Sequence, residues 1–298
     1  MGRIFLIACI LAIIFPVAAN LYASPINVYV SIPPQKTFIQ AIGQGLVEVE
    51  IMIQPGSNPA TYEPRPSQLS RLAETEIYFA VGVPFERAWL DRFQAVNPKM
   101  EIVHTDKEIQ KRALPARHNL KSGPDQMSTG HTEHTGIKDP HIWLSPPLVK
   151  VQAKTMCRAL EAIDPENVSQ YRENLSAFLQ DIETLDRHLH DVLAPVQGQP
   201  FLVFHPAWGY FAHMYGLQQV AVELEGKDPK PSQLARLISF ARQEDIQAIF
   251  VQPQFSDQSA RVIAREIGAK VISADPLAQD WAENLRRQAQ ALRRALAK

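Results

Sequence analysis

Apolar runs of strand length alternate with amphipathic stretches of helical period along most of this chain. The runs fall at 27–31, 47–53, 77–81 and 101–103, and again at 201–204, 218–222, 248–251 and 270–273. Strands separated by helical patterns in this way predict a parallel, helix-covered sheet in each half, an α/β protein of two lobes. The halves also echo one another in detail. "PRPSQLSRL" from Pro64 resembles "PKPSQLARL" from Pro229, and each is followed by an apolar strand. Both read as a short helix with proline at its first position, so the lobes are expected to be similarly built. Between them, Tyr171, Leu175, Phe178, Ile182, Leu185, Leu189 and Val192 step by threes and fours along one face. This predicts a long helix, with Asp164 as N-cap and Pro165 in the first turn, ending before Pro195. At 1.5 Å per residue it would extend ~40 Å, enough to run along both lobes.

Two stretches break the pattern. Residues 1–24 read "MGRIFLIACILAIIFPVAANLYAS": a basic Arg3, an apolar run from Ile4 to Phe15, then small residues. That is the form of a secretory signal peptide, so 1–23 are expected to be removed on export. Pro16 and Asn20 stop the run short of the ~20 residues needed to span a bilayer. Cys9 resembles part of a lipidation box, but only five apolar residues precede it, and it is read as signal-peptide filler. Its removal leaves Cys157 alone, in an apolar helical pattern, so no internal disulfide is expected in the exported chain. The second break, from Lys107 to Lys138, has no periodicity, contains His118, His131 and His134, and is expected to be a mobile loop. The resulting organisation is a signal peptide (1–23), an N-terminal lobe (24–163, including loop 107–138), a linking helix (164–194) and a C-terminal lobe (195–298).

The 298 residues are 46% hydrophobic, ample for packed cores, and carry 30 Lys+Arg against 31 Asp+Glu. That balance provides no basic stripe for a phosphate backbone, so nucleic acid is not an expected partner. In open parallel sheets ligands collect beyond the carboxyl ends of the strands. His205 follows "FLVF", Asp275 follows "KVISA", and His141 lies in "DPHIWLSPP". Two imidazoles and a carboxylate facing one another across a cleft suit a zinc-like divalent ion. For one histidine alone a structural role would be the more economical reading; three converging groups favour metal.

The runs "PGSNPATYEPRPSQL", "DPHIWLSP", "FLVFHPAWGYFAHMYGL", "VELEGKDPKPSQL" and "AIFVQPQFSDQSARVIAREIGAKVISADPL" together resemble the zinc/manganese-type solute-binding proteins of bacterial ABC transporters. The likeness covers nearly the whole exported chain in order. It implies two α/β lobes joined by one rigid helix, with a metal held between them, and a monomeric periplasmic protein that delivers zinc, with manganese as the lesser alternative, to a membrane permease and its ATPase. By motif, three of the family's ligands fall on His141, His205 and Asp275. Histidine rather than a carboxylate at 205 resembles the zinc-preferring branch. The family's first ligand, a histidine within Pro-His-x-Tyr-Glu-Pro, is replaced here by Ala60 in Pro59-Ala60-Thr61-Tyr62-Glu63-Pro64. His131 or His134 from the loop, Glu63, or water are the candidates for the remaining position.

Three protein ligands and an open position also describe a zinc hydrolase. Against this, there is no His-Glu-x-x-His, and "HTEHT" has the wrong spacing for its inverted form. "HLHD" at 188–191 places its histidines two apart on a helix, where they do not face each other; both are expected at the surface. No catalytic residues are expected. A third reading is a surface adhesin that kept the fold and lost the ion.

Overall fold

Two four-stranded parallel sheets share one strand permutation. The computed structural model describes residues 24–115, 134–223 and 229–297. The N-terminal lobe runs β1 (Ile26–Val30), α1 (Pro33–Gly43), β2 (Val47–Ile51), α2 (Pro66–Leu72), β3 (Ile77–Ala80), α3 (Glu86–Val96) and β4 (Glu101–His104). Its sheet order is β2-β1-β3-β4, parallel throughout. After β5 (Ala113–Pro115), β6 (His134–Lys138), α4 (Pro146–Ile163) and α5 (Val168–Leu193), the second lobe runs β7 (Pro200–Val203), α6 (Gly209–Met214), β8 (Gln218–Ala221), α7 (Pro231–Gln243), β9 (Ala248–Val251), α8 (Gln258–Ile267), β10 (Lys270–Ser273) and α9 (Trp281–Leu296). Its order, β8-β7-β9-β10, repeats that of the first lobe and is again parallel. All eight strands expected from the apolar runs are present.

The repeated Pro-Ser-Gln-Leu proves to be a helix-start device. Gln68 and Gln233, at the third helical position of α2 and α7, each fold back to accept the preceding backbone N–H, from Arg65 at 2.9 Å and Lys230 at 2.8 Å. Each satisfies a donor that the helix itself leaves unpaired. Both helices lead into a central strand, β3 or β9, whose four residues are all buried, as strands covered on both faces should be.

Alternation along β7 divides the interior. Phe201 and Val203 join a large core shared with the first lobe, α4, α5 and α9. Leu202, with Phe204 just beyond the strand, packs into a smaller core with residues of α7 and α8. The long-helix stripe is buried at Tyr171, Phe178, Ile182, Leu185, Leu189 and Val192, with Leu175 partly so. It packs α5 against α4, α1 and α9. The 26 residues of α5 extend about 39 Å and end at Leu193, before Pro195 as expected. One detail differs. Pro165–Asn167 form a separate 3₁₀ turn, and Asp164 does not cap a backbone N–H: its carboxylate accepts from Asn167 Nδ2 at 2.8 Å and the Tyr171 hydroxyl at 2.7 Å.

A second connection ties the lobes. After β10, Trp143 Nε1 donates to the Pro276 carbonyl and Trp281 Nε1 to the Trp143 carbonyl, both at 2.7 Å, while Trp281 meets Phe38 of α1 edge-on at 5.1 Å. A rigid helix and a shared core leave little freedom for hinging. Metal loading is therefore expected to shift the backbone by about 1 Å or less. Solution scattering with and without zinc checks this: an unchanged radius of gyration is expected, and marked compaction would contradict it.

The stretch expected to be a structureless loop is structured at its ends. β5 and β6 pair antiparallel, Ala113 opposite Lys138 and Pro115 opposite His134, with an irregularity between. Strands of three and five residues, one carrying a proline, are too short to show an alternating pattern. Residues 116–133, with His118 and His131, lie outside the described residues, as does the expected signal peptide, 1–23. Among the described residues no helix is long and apolar enough to cross a membrane. Cys157 is buried in α4, as expected of a core residue, and burial pushes its thiol up to about 12, far from a reactive thiolate. His190 is exposed, as expected, but His188 is half-buried with its Nε2 enclosed.

Candidate metal centre

His205 stands two residues beyond β7, and Gln252, just past the neighbouring β9, grips its backbone from both sides. The His205 N–H donates to Gln252 Oε1 at 3.0 Å and the His205 carbonyl accepts from Gln252 Nε2 at 2.7 Å. Phe255 stacks on the imidazole, ring centroids 4.9 Å apart and planes 22° from parallel. The Nδ1 atom lies 2.7 Å from the carboxylate of Glu223, a buried residue two positions after β8. In the first lobe, Asp139 Oδ1 accepts from both the backbone N–H of His141, at 3.0 Å, and its Nδ1, at 2.7 Å.

Both imidazoles thus meet a carboxylate, which accepts and cannot donate. That fixes the proton on Nδ1 and leaves the Nε2 lone pair for a ligand, the arrangement that orients histidines at metal sites. Burial lowers the pKa of His141, opposed in part by Asp139, which favours the neutral ring. A neutral ring is the metal-binding form.

The rings come together across the lobes with centroids 5.2 Å apart. At a Zn–N distance of ~2.0–2.1 Å, each imidazole centroid lies about 3.2 Å from the metal, and two such rings at the tetrahedral angle lie about 5.2 Å apart. The spacing suits one shared ion. Both line a cavity of about 810 Å³ between the lobes, whose walls include Ala60, Gln254, Phe255 and Glu86. Glu86 is buried and pushed up to about 7 by desolvation, while it accepts the backbone N–H groups of Val81 and Gly82. That bonding gives it a structural role in the wall.

The other expected residues are placed differently. Asp275 holds a turn: its Oδ1 accepts from Leu277 N at 2.9 Å and from Gln254 Nε2 at 2.8 Å. Its neighbours Pro276 and Leu277 line the cavity, but among the described residues no three His, Cys, Asp or Glu side chains converge on one point. Ala60, where the family's first histidine was expected, lies on the cavity wall and presents only a methyl group. Glu63 is exposed and not among the lining residues, and it does not cap α2, whose start is served by Gln68. The backbone of His134 lies on β6; His131 lies outside the described residues.

Sequence reasoning missed the supports. Asp139 was visible two residues before His141, and Glu223 is an acid just past a strand end at the same sheet edge as His205. Gln252, Gln254 and Phe255 form one short segment, "QPQF", after β9. The strand order β7-β9-β10 sets this segment between His205 and Asp275, and it contacts both.

Residues 28–295 match the family described as zinc-uptake complex component A periplasmic. A crystal structure of ZnuA is 39% identical with a TM-score of 0.82, covering 91% of this chain and 99% of that one. A zinc-bound deletion mutant of ZnuA is likewise 39% identical, with a TM-score of 0.83 and coverage of 92% and 99%. The high-affinity zinc uptake system protein ZnuA of Yersinia pestis is 26% identical over 281 residues, 87% of each chain. With the two-lobed fold and the paired imidazoles, the match across residues 28–295 establishes that this chain belongs to the periplasmic zinc-uptake complex component A family.

Proposed function

We propose that this chain captures zinc in the inter-lobe cleft through Nε2 of His141 and His205 and delivers it to a membrane permease driven by an ATPase. Asp275 serves as a third ligand, through the carboxylate oxygen not engaged by Gln254 and Leu277, and a loop histidine or water completes the sphere. The carrying observation is the 5.2 Å spacing of two imidazoles, each with its proton held by a carboxylate. Nitrogen donors favour zinc over manganese, which prefers oxygen. Capture and release need no reacting group, so the protein acts as a carrier rather than an enzyme. The signal-peptide pattern and the family's periplasmic description support a periplasmic location, and we read the protein as a monomer.

The test is competition against a chromogenic chelator with metal-stripped protein. One zinc per chain is expected, bound far more tightly than manganese. Equal affinity for the two metals would contradict the donor argument, and absence of zinc binding would contradict the function.

A further inference from the structure

One hydroxyl group of the second lobe holds the stretch of the first lobe that leads to His141. Tyr210, buried on α6, accepts the backbone N–H of Arg112 at 2.9 Å and donates to the carbonyl of Asp139 at 3.2 Å. The Asp139 N–H in turn donates to the Arg112 carbonyl at 2.8 Å. Arg112 directly precedes β5 and Asp139 directly follows β6, so the three residues clamp the base of that strand pair and fasten it to α6. Gly209 stands beside the clamp. A Cβ on it would lie 3.2 Å from Asp139 Oδ2, inside van der Waals contact. The carboxylate yields only by giving up a bond: it is buried, its backbone is held by Tyr210 and Arg112, and its Oδ1 carries both bonds to His141. Turning it turns the imidazole.

Gly209 and Tyr210 follow His205 on one short segment, "HPAWGY". We propose that they are positioning residues for His141: acting through Asp139, they let the segment that carries the second lobe's imidazole also orient the first lobe's. The spacing of the two rings is then set by the fold before the metal arrives. This inference rests on the proposed zinc capture, but the orientation it concerns can be read without metal.

The first test is a double-mutant cycle on zinc dissociation constants. Tyr210→Phe removes the hydroxyl alone. Gly209→Ala adds one methyl group at the first position of α6, where alanine suits a helix at least as well as glycine. Each should weaken zinc about tenfold, the lower end of what loss of an outer support costs a metal site. In the Asp139→Ala background the carboxylate that both act through is gone, and each should change affinity less than about twofold. Equal weakening in the two backgrounds would mark a general loss of structure, and silence in the native background would mark no role; either overturns the inference.

Proton NMR of the metal-stripped chain supplies a readout independent of zinc. The Nδ1–H protons of His141 and His205, each bonded to a carboxylate, are expected as two downfield resonances, assigned by their loss in Asp139→Ala and Glu223→Ala. Gly209→Ala and Tyr210→Phe should shift the His141 resonance and leave that of His205 in place. Neither resonance moved, or both moved equally, overturns the inference whatever the zinc affinity. A native chain that binds no zinc, while the His141 resonance alone shifts in the variants, overturns the proposed function and upholds the positioning of His141 by α6.

Discussion

Replacing His141 or His205 with alanine is expected to weaken zinc binding about a hundredfold each. Four-ligand zinc sites bind with ~10–16 kcal/mol, so one ligand is worth roughly 3 kcal/mol. The carboxylates behind the rings should matter nearly as much: Asp139→Asn or Glu223→Gln removes the negative charge that strengthens the Nδ1–H bond and lets the amide donate as well as accept, and such changes cost about 10–100-fold in affinity. His188→Ala and His190→Ala should be nearly silent, since both lie on α5 away from the cavity lining. Competition titration of all six variants checks the ranking. Similar small losses throughout would remove the inter-lobe site from the account.

Ala60→His is expected to tighten zinc binding, because Ala60 already lies on the wall of the cavity that holds both imidazoles. An added ligand that displaces water should be worth up to about a hundredfold. Its interaction with His131→Ala/His134→Ala then identifies what occupies the position now. If a loop histidine does, removing both loop histidines weakens binding strongly beside Ala60 and hardly at all beside the new histidine. If water does, loop removal is nearly silent in either background. A gain from Ala60→His in neither case would mean that the wall at residue 60 does not face the metal.

Much of the fold was legible because the central strands β3 and β9 are continuous apolar runs and the others are short apolar-rich segments bounded by helical patterns, so all eight could be located, and because the helix-start glutamines repeat between lobes. The short β5–β6 pair left no such signature: its pairing is backbone hydrogen bonding across a proline-bearing segment, which hydrophobic period does not record. Asp164 stands at the N-cap position of the 3₁₀ turn that leads into α5, with Pro165 following it as expected, but its side chain does not cap. An acid before proline reads as a cap, but Asn167 and Tyr171 compete for its oxygens in three dimensions. At the site, His141 and His205 could be placed from strand ends and motif, and the structure brings them together. Asp139 and Glu223 were as visible in the sequence as the histidines they support, yet which acid faces which Nδ1 depends on where two separate turns end. Asp275 shows the converse: it stands just past the end of β10, as the strand-end rule has it, but it is not among the cavity-lining residues, and Gln254 and the Leu277 amide engage one of its oxygens.

Anomalous diffraction at the zinc edge, on crystals of the zinc-loaded chain, tests the central claim most directly. The account predicts one strong peak about 2 Å from Nε2 of both His141 and His205, with Asp139 and Glu223 still on the Nδ1 atoms. A peak that touches only one of these imidazoles, or none in the cleft, would contradict it.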